Sequence, residues 1–286
     1  MNAASLVQET AGRFLAAGLP DAAKEAEFLV CELLAIDRKD LFSRPLPLDD
    51  NAIILIRNAA LRRSNGEPFQ YIVGNVDFMG LSIAVGPGVL IPRPETELLV
   101  EEAIKSIQDS WIGKREKAVL GMLDLCTGSG CVALSLAKHF PEAVVVGTDI
   151  SPAALVYARR NAALNSIGSA SFLEGDLFGP VAGRLFQCIT ANPPYVRSDE
   201  IPELQREVRE HEPLNALNGG IDGMDYYRRI LAEAPGYLEA GGLLIMELGY
   251  DQADEISGIA YEAGFSDIEC IADYSGIRRI FCAERT

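Results

Sequence analysis

Apolar residues over positions 1–66 recur at helical spacing and almost nowhere alternate. Leu6, Ala11, Phe14 and Leu15 fall on one face of a first helix. Asp21 is placed to cap a second, in which Ala26, Leu29, Val30, Leu33 and Leu34 repeat every three or four positions. Pro45 and Pro47 interrupt the chain, and Asp49-Asp50 opens a further helix carrying Ile53, Ile54, Ile56, Ala60 and Leu61. Residues 1–75 are therefore expected to form a small helical bundle. A stabilising appendage and a docking domain for a substrate are equally open roles for it. At residue 76 the period changes to two, and 76–85 reads as two short strands around Met79-Gly80, a β-hairpin. Pro92 and Pro94 exclude helix from the strip that follows, so 76–92 reads as a linker. An amphipathic helix follows over 95–107.

Beyond residue 119, strands and helices alternate. Strands are expected over 119–125, 143–148, 170–173, 186–191 and 243–247, with late ones at 268–271 and 278–282. Between them the pattern places helices over 131–139, from Pro152 to about Asn165, from about Met224 to Leu238, and over 252–263. Ser151-Pro152 supplies an N-cap followed by a proline at the first helical position. This alternation specifies an α/β domain over 93–286, built on a doubly wound, mostly parallel sheet.

Composition narrows the possibilities. The 286 residues carry 25 Lys+Arg against 41 Asp+Glu, a formal net charge of −16, with 49% hydrophobic residues. That is globular composition, and the length favours two domains. Residues 76–286 hold 17 basic and 31 acidic side chains, which argues against a surface that neutralises phosphates, so no direct nucleic-acid binding is expected. The six cysteines form no C-x-x-C pair and read as reduced thiols. The amino terminus shows no apolar core of signal-peptide length, and no run reaches the roughly 18 apolar residues of a membrane span. A cytoplasmic monomer without a membrane partner is expected. His139 and His211 lie far apart and read as solvated or capping residues, so no metal site is expected.

The first chemical signal is Asp124-Leu-Cys-Thr-Gly-Ser-Gly130, at the turn from the first strand of the α/β domain into its helix. Gly128 and Gly130 allow a tight turn and close approach of the backbone to a ligand. Asp149 ends the next strand, nineteen residues after Gly130, where a nucleotide fold places a carboxylate for ribose hydroxyls. Asp176 follows the third strand, where an adenine ring would lie. Gly128-Ser-Gly-Cys-Val-Ala133 also fits the dinucleotide pattern, so the loop leaves nicotinamide chemistry and S-adenosylmethionine both open. The positive sulfonium of the latter would suit Asp124 and Asp149.

The second signal is Asn192-Pro-Pro-Tyr195, after the fourth strand. In a doubly wound sheet whose order reverses beside the first strand, the first and fourth strands are neighbours, and their ends flank the ligand crevice. The residue types suit the presentation of a planar, weakly nucleophilic NH₂ group. The Asn192 oxygen and the Pro193 carbonyl can each accept one of its hydrogens, and Tyr195 can stack on its flat face. The two prolines fix the backbone, so catalysis would come from orientation rather than strong base chemistry.

With Pro68-Phe-Gln-Tyr-Ile-Val-Gly74, Leu90-Ile-Pro-Arg-Pro-Glu-Thr-Glu97, Asp149-Ile-Ser151, Glu212-Pro-Leu-Asn-Ala-Leu-Asn-Gly-Gly220 and Glu247-Leu-Gly249, these stretches resemble the peptide chain release factor glutamine N5-methyltransferases nearly end to end. The tetrapeptide is shared with adenine N6-methyltransferases and a ribosomal-protein glutamine methyltransferase. The proline strip and the helical amino-terminal domain point to the release-factor branch. One departure stands out: Cys126 occupies a position where many members have glycine.

The resemblance implies methyl transfer from S-adenosylmethionine, leaving S-adenosylhomocysteine, to the glutamine amide in the Gly-Gly-Gln loop of a release factor. It implies that Cys126, Thr127, Gly128, Ser129, Gly130, Asp149, Asp176, Leu177 and Asn192 hold the cofactor, and that Asn192, Pro193, Pro194 and Tyr195 hold the glutamine. Arg93, Glu95 and Thr96 would line the same pocket, with an interdomain ion pair as the other role open to Arg93. An adenine N6-methyltransferase is the rival reading, and it needs a phosphate-binding surface that this acidic domain does not offer. A nicotinamide enzyme would want an acid/base near the loop, and neither histidine lies there.

Overall fold

The computed structural model describes residues 1–43, 46–110 and 119–286; Pro45 lies outside them. The chain divides into two compact units, one of residues 1–75 with 205–211, the other of 76–204 with 212–286.

The first unit is helical: α1 (Ala3–Ala16), α2 (Ala22–Leu34), α3 (Arg38–Ser43), α4 (Asp50–Ser64) and α5 (Phe69–Val73). The Asp49 carboxylate accepts the Ala52 N–H at 2.8 Å and starts α4, as its sequence position requires. Asp21 does not do the same for α2. Its φ of 51° is left-handed and its side chain makes no cap bond. The core is Leu6, Phe14, Leu29, Val30, Ile56 and Ala60. Leu15, Ile54 and Leu61, expected on the buried stripe, are 74%, 57% and 47% exposed. The stripe each helix buries is narrower than its apolar face. Residues 205–211 join this unit through Arg63, whose buried guanidinium donates to Glu25 and, at 2.6 Å, to Glu207.

The second unit opens with the hairpin β1 (Asn75–Phe78) and β2 (Leu81–Ala84). Met79 and Gly80 both take positive φ, 50° and 65°, as a two-residue turn of this hand demands. The rest runs α6 (Pro94–Ser110), β3 (Gly121–Leu125), α7 (Cys131–His139), β4 (Val144–Asp149), α8 (Pro152–Leu164), β5 (Ala170–Glu174) and β6 (Phe186–Ala191). Past α9 (Arg206–His211), which belongs to the first unit, come α10 (Asp225–Glu233), β7 (Leu238–Glu247), α11 (Ala253–Glu262), β8 (Phe265–Ala272) and β9 (Arg278–Arg285). The helix expected to reach Leu238 stops at Glu233. Pro235 and Gly236 tighten the chain into a short 3₁₀ turn, and β7 starts at Leu238.

Strand order is β5-β4-β3-β6-β7-β9-β8, parallel from β5 to β7, with β9 antiparallel to both its neighbours. The order reverses between β3 and β6. Side-chain alternation sends Leu123, Leu125, Ile189 and Ala191 into one core with Tyr227, Ile230 and Ile256 of α10 and α11. By the same alternation and register, Asp124, Thr190 and Glu247 point to the other face. Among the described residues no helix is long and apolar enough to cross a membrane.

Candidate active site

Leu125 and Ala191 are register partners at the ends of β3 and β6, so the segments 126–130 and 192–195 leave the sheet side by side where its order reverses. Both segments border one cleft. This is the crevice that an open α/β sheet offers a ligand.

The glycine loop is held from three sides. Asp149 accepts the Gly128 N–H on one carboxylate oxygen and the Ser151 N–H on the other, each at 2.8 Å. Each oxygen keeps a lone pair for a further donor. The Thr127 hydroxyl donates to Asp124 at 2.5 Å, and the fully buried Asn161 donates to the Ser129 carbonyl at 2.9 Å. Cys126 has φ 54°, so where glycine would be at ease a side chain is carried on the same left-handed backbone, at a cost of about 1–2 kcal/mol. Burial pushes its thiol well above the usual range, so it presents a neutral thiol to the cleft.

Two carboxylates dominate the electrostatics. Burial pushes Asp124 up to about 7, against the lowering effect of hydrogen bonds from Thr127 and Thr190. Burial also raises Asp149, and its two backbone donors oppose the rise.

The tetrapeptide is anchored by a carboxylate that sits behind it. Asn192 donates through Nδ2 to Glu247 Oε2 at 2.9 Å and to Thr96 Oγ1 at 3.2 Å. With Nδ2 turned to these two acceptors, its carbonyl oxygen is the group left for the cleft that Asn192 lines. Thr96 in turn donates to Glu247 Oε2 at 2.6 Å. Glu247, the last residue of β7, is 2% exposed, and burial raises its pKa.

Of the residues expected at the site, Cys126, Thr127, Gly128, Ser129, Asp149, Asp176, Leu177, Asn192 and Pro194 line the cleft together. Gly130, Pro193 and Tyr195 are not among the lining residues. Gly130 is a packing glycine: a Cβ there would meet Phe172 and Ala158 at 3.0 and 3.1 Å. Pro193 is buried behind the wall. Tyr195 is half-buried, its ring packs against the hydrophobic core, and its hydroxyl donates to Glu247 Oε1 at 3.2 Å. Gly219 leaves room for this course: a Cβ on it would lie 2.7 Å from Tyr195 Cα.

Arg93 and Thr96 line the cleft, whereas Glu95 is exposed and does not. Arg93 pairs with the buried Glu212 at 2.5 Å, and both belong to the second unit, so this is not an interdomain pair. Sequence reasoning passed over Tyr226, which lines the cleft, and Asn161 and Glu247, which brace it. Tyr226 carries no local signal. Glu247 carries one, a carboxylate ending the apolar run Leu243-Leu-Ile-Met246, a place where an acid is kept only when paired.

A family model described as the PrmC N-terminal domain matches residues 5–74, and one described as the methyltransferase small domain matches 110–209. A release factor glutamine methyltransferase of Thermodesulfovibrio yellowstonii is 43% identical, the match covering 92% of this chain and 92% of that protein. One of Geobacter sulfurreducens is 40% identical over 95% of this chain and 92% of its own length. Among solved structures, a methyltransferase from Pyrococcus furiosus superposes with a TM-score of 0.53 at 21% identity, over 72% of this chain and 89% of that one, a likeness of fold.

Proposed function

The chain belongs to the family of release factor glutamine methyltransferases, and on that premise we propose that its cleft transfers a methyl group from S-adenosylmethionine to the side-chain amide nitrogen of a release-factor glutamine. The observation that carries the reading is the Asn192 amide, whose nitrogen faces Glu247 and Thr96 so that its oxygen is left for the cleft, beside the glycine loop.

The residues present fit the cofactor. Asp149 retains one lone pair on each oxygen for ribose hydroxyls, Gly128 lets the backbone approach closely, and Asp124 and Asp149 suit a positive group. S-adenosylmethionine, when bound, supplies an electrophilic methyl group on a cationic sulfur. The protein's task is then to orient the weakly nucleophilic amide. The Asn192 oxygen accepts one of its hydrogens, and Pro193 and Pro194 hold Asn192 on a stiff backbone. On transfer the sulfur–carbon bond would break as the nitrogen–carbon bond forms, leaving a neutral thioether, and the transiently cationic amide nitrogen would then give its proton to water. A hydrogen bond from that nitrogen to Asn192 is strongest at this stage. An adenine amino group would present the same geometry, and family membership favours the glutamine.

We assign the helical unit to docking of the protein substrate, in the cytoplasm where release factors work. Incubation with methyl-labelled cofactor, followed by mass spectrometry, should place the label on a glutamine side chain of an intact release factor. A short glutamine peptide should be a poorer substrate, through KM. Label on adenine in nucleic acid, with none on release factor, would overturn the reading.

A pH dependence follows from Asp124. A bound sulfonium favours the ionised carboxylate and lowers its pKa below the free value of about 7. The complex then binds fewer protons than the free protein. S-adenosylmethionine should accordingly bind up to about tenfold more tightly at pH 8 than at pH 6, levelling off above the free pKa. The product S-adenosylhomocysteine, with a neutral sulfur, should show a flatter profile. Calorimetric titrations of both ligands on wild type and Asp124→Asn check this, and the difference between ligands should vanish in the variant.

A further inference from the structure

We propose that Glu247 is a positioning residue that fixes the polarity of the Asn192 amide, and through it the pose of the substrate amide; this rests on the methyl-transfer reading above. An ionised carboxylate is an acceptor on both oxygens. Glu247 uses them on three donors: the Thr96 hydroxyl and the Asn192 NH₂ share Oε2, and the Tyr195 hydroxyl takes Oε1. The Arg279 guanidinium lies near enough to favour the charge.

Because the Thr96 hydrogen points at Glu247, its oxygen can only accept from Asn192. The amide therefore faces two acceptors at once, at 2.9 and 3.2 Å. Turning it over would set the Asn192 oxygen against the Glu247 carboxylate in a site screened from water, and the Thr96 hydroxyl could meet it only by giving up its own bond to Glu247. The turned amide would also direct NH₂ at a substrate that itself presents NH₂. Glu247 is 2% exposed and does not line the cleft, so it reaches substrate through the side chains it holds, chief among them Asn192.

The same carboxylate ties the elements of the site together. Thr96 belongs to α6, Asn192 and Tyr195 follow β6, and Glu247 ends β7. One acceptor group thus fixes the orientation of Asn192 and holds the Tyr195 hydroxyl.

Glu247→Gln keeps the volume but puts an NH₂ where one acceptor stood. Three donors then face a single oxygen, and the Asn192 carbonyl gains a partner in the turned-over state. The kcat for release-factor methylation should fall at least about tenfold, while cofactor Kd and substrate KM stay within about threefold. The decisive measurement is the cycle with Asn192→Ala, by single-turnover labelling at saturating cofactor. A residue that acts through Asn192 is silent once Asn192 is gone, so Glu247→Gln should change the rate less than about twofold in that background. Thr96→Val, which removes one of the two acceptors, should lower kcat a few-fold in the wild-type background and likewise fall silent. It carries the test should Glu247→Gln fail to fold. A wild-type kcat in Glu247→Gln, or equal losses with and without Asn192, overturns the proposal. If the wild-type protein itself labels no release factor, it is the functional reading that fails instead.

Discussion

Replacing Asn192 by alanine should lower kcat at least about 100-fold and change S-adenosylmethionine affinity by less than about tenfold. The substitution removes the one side-chain acceptor that the tetrapeptide turns toward the cleft. The hydrogen bond it makes strengthens as the amide nitrogen gains positive charge, which is the condition for an effect on kcat rather than KM. A hydrogen bond involving a charged group contributes about 1.5–3 kcal/mol, or about 10- to 100-fold in rate. Freed rotation of the substrate amide adds to that. Pro193 is buried and is not among the residues that line the cleft, so Asn192 is the acceptor on which the amide chiefly depends. Single-turnover methylation at saturating cofactor, beside a binding titration, is the measurement. Near wild-type transfer by a variant that binds cofactor normally would end this account of the reaction.

Asp149→Ala should give the opposite split. Cofactor affinity should fall by about 100-fold, with kcat at saturating cofactor staying within about fivefold of wild type. Loss of the ribose acceptor alone accounts for about 1.5–3 kcal/mol. The upper end is expected because the carboxylate also receives the Gly128 and Ser151 N–H groups, and alanine leaves both without that partner. The glycine loop would then lose the contact that joins it to the end of β4. Asp149→Asn separates the two contributions: its single oxygen can keep one backbone donor but cannot serve both, so it should fall between wild type and alanine. Isothermal titration of the three proteins tests the order, and unchanged affinity in Asp149→Ala would remove Asp149 from the cofactor site.

How much of this was legible in the chain follows from the range of the interactions involved. The hairpin at Met79-Gly80, the Asp49 and Ser151 caps, and the loop that follows β3 are settled within a few residues, and the structure has them where the sequence placed them. The side-chain period alone gave the doubly wound sheet, because a strand buried on both faces and a helix buried on one leave different patterns. Asp21 misled because a good capping residue is a local preference only, and here the backbone at that position takes a left-handed turn instead.

The sequence by itself determined the elements of the second unit, the glycine loop with its carboxylate nineteen residues on, and the tetrapeptide that names the chemistry. Each is a local signal. Only the tertiary structure decided which atoms those residues present. The Tyr195 hydroxyl is tied to Glu247, 52 positions later, because that residue ends the neighbouring strand with an acceptor in reach. The orientation of Asn192 depends on that same carboxylate and on Thr96, 96 positions earlier. Tyr226 reaches the cleft, and residues 205–211 join the helical unit through Arg63, with no periodicity to announce either. The reason is physical: periodicity records which face of an element is buried, whereas a hydrogen-bond partner depends on which chain ends the sheet order sets side by side.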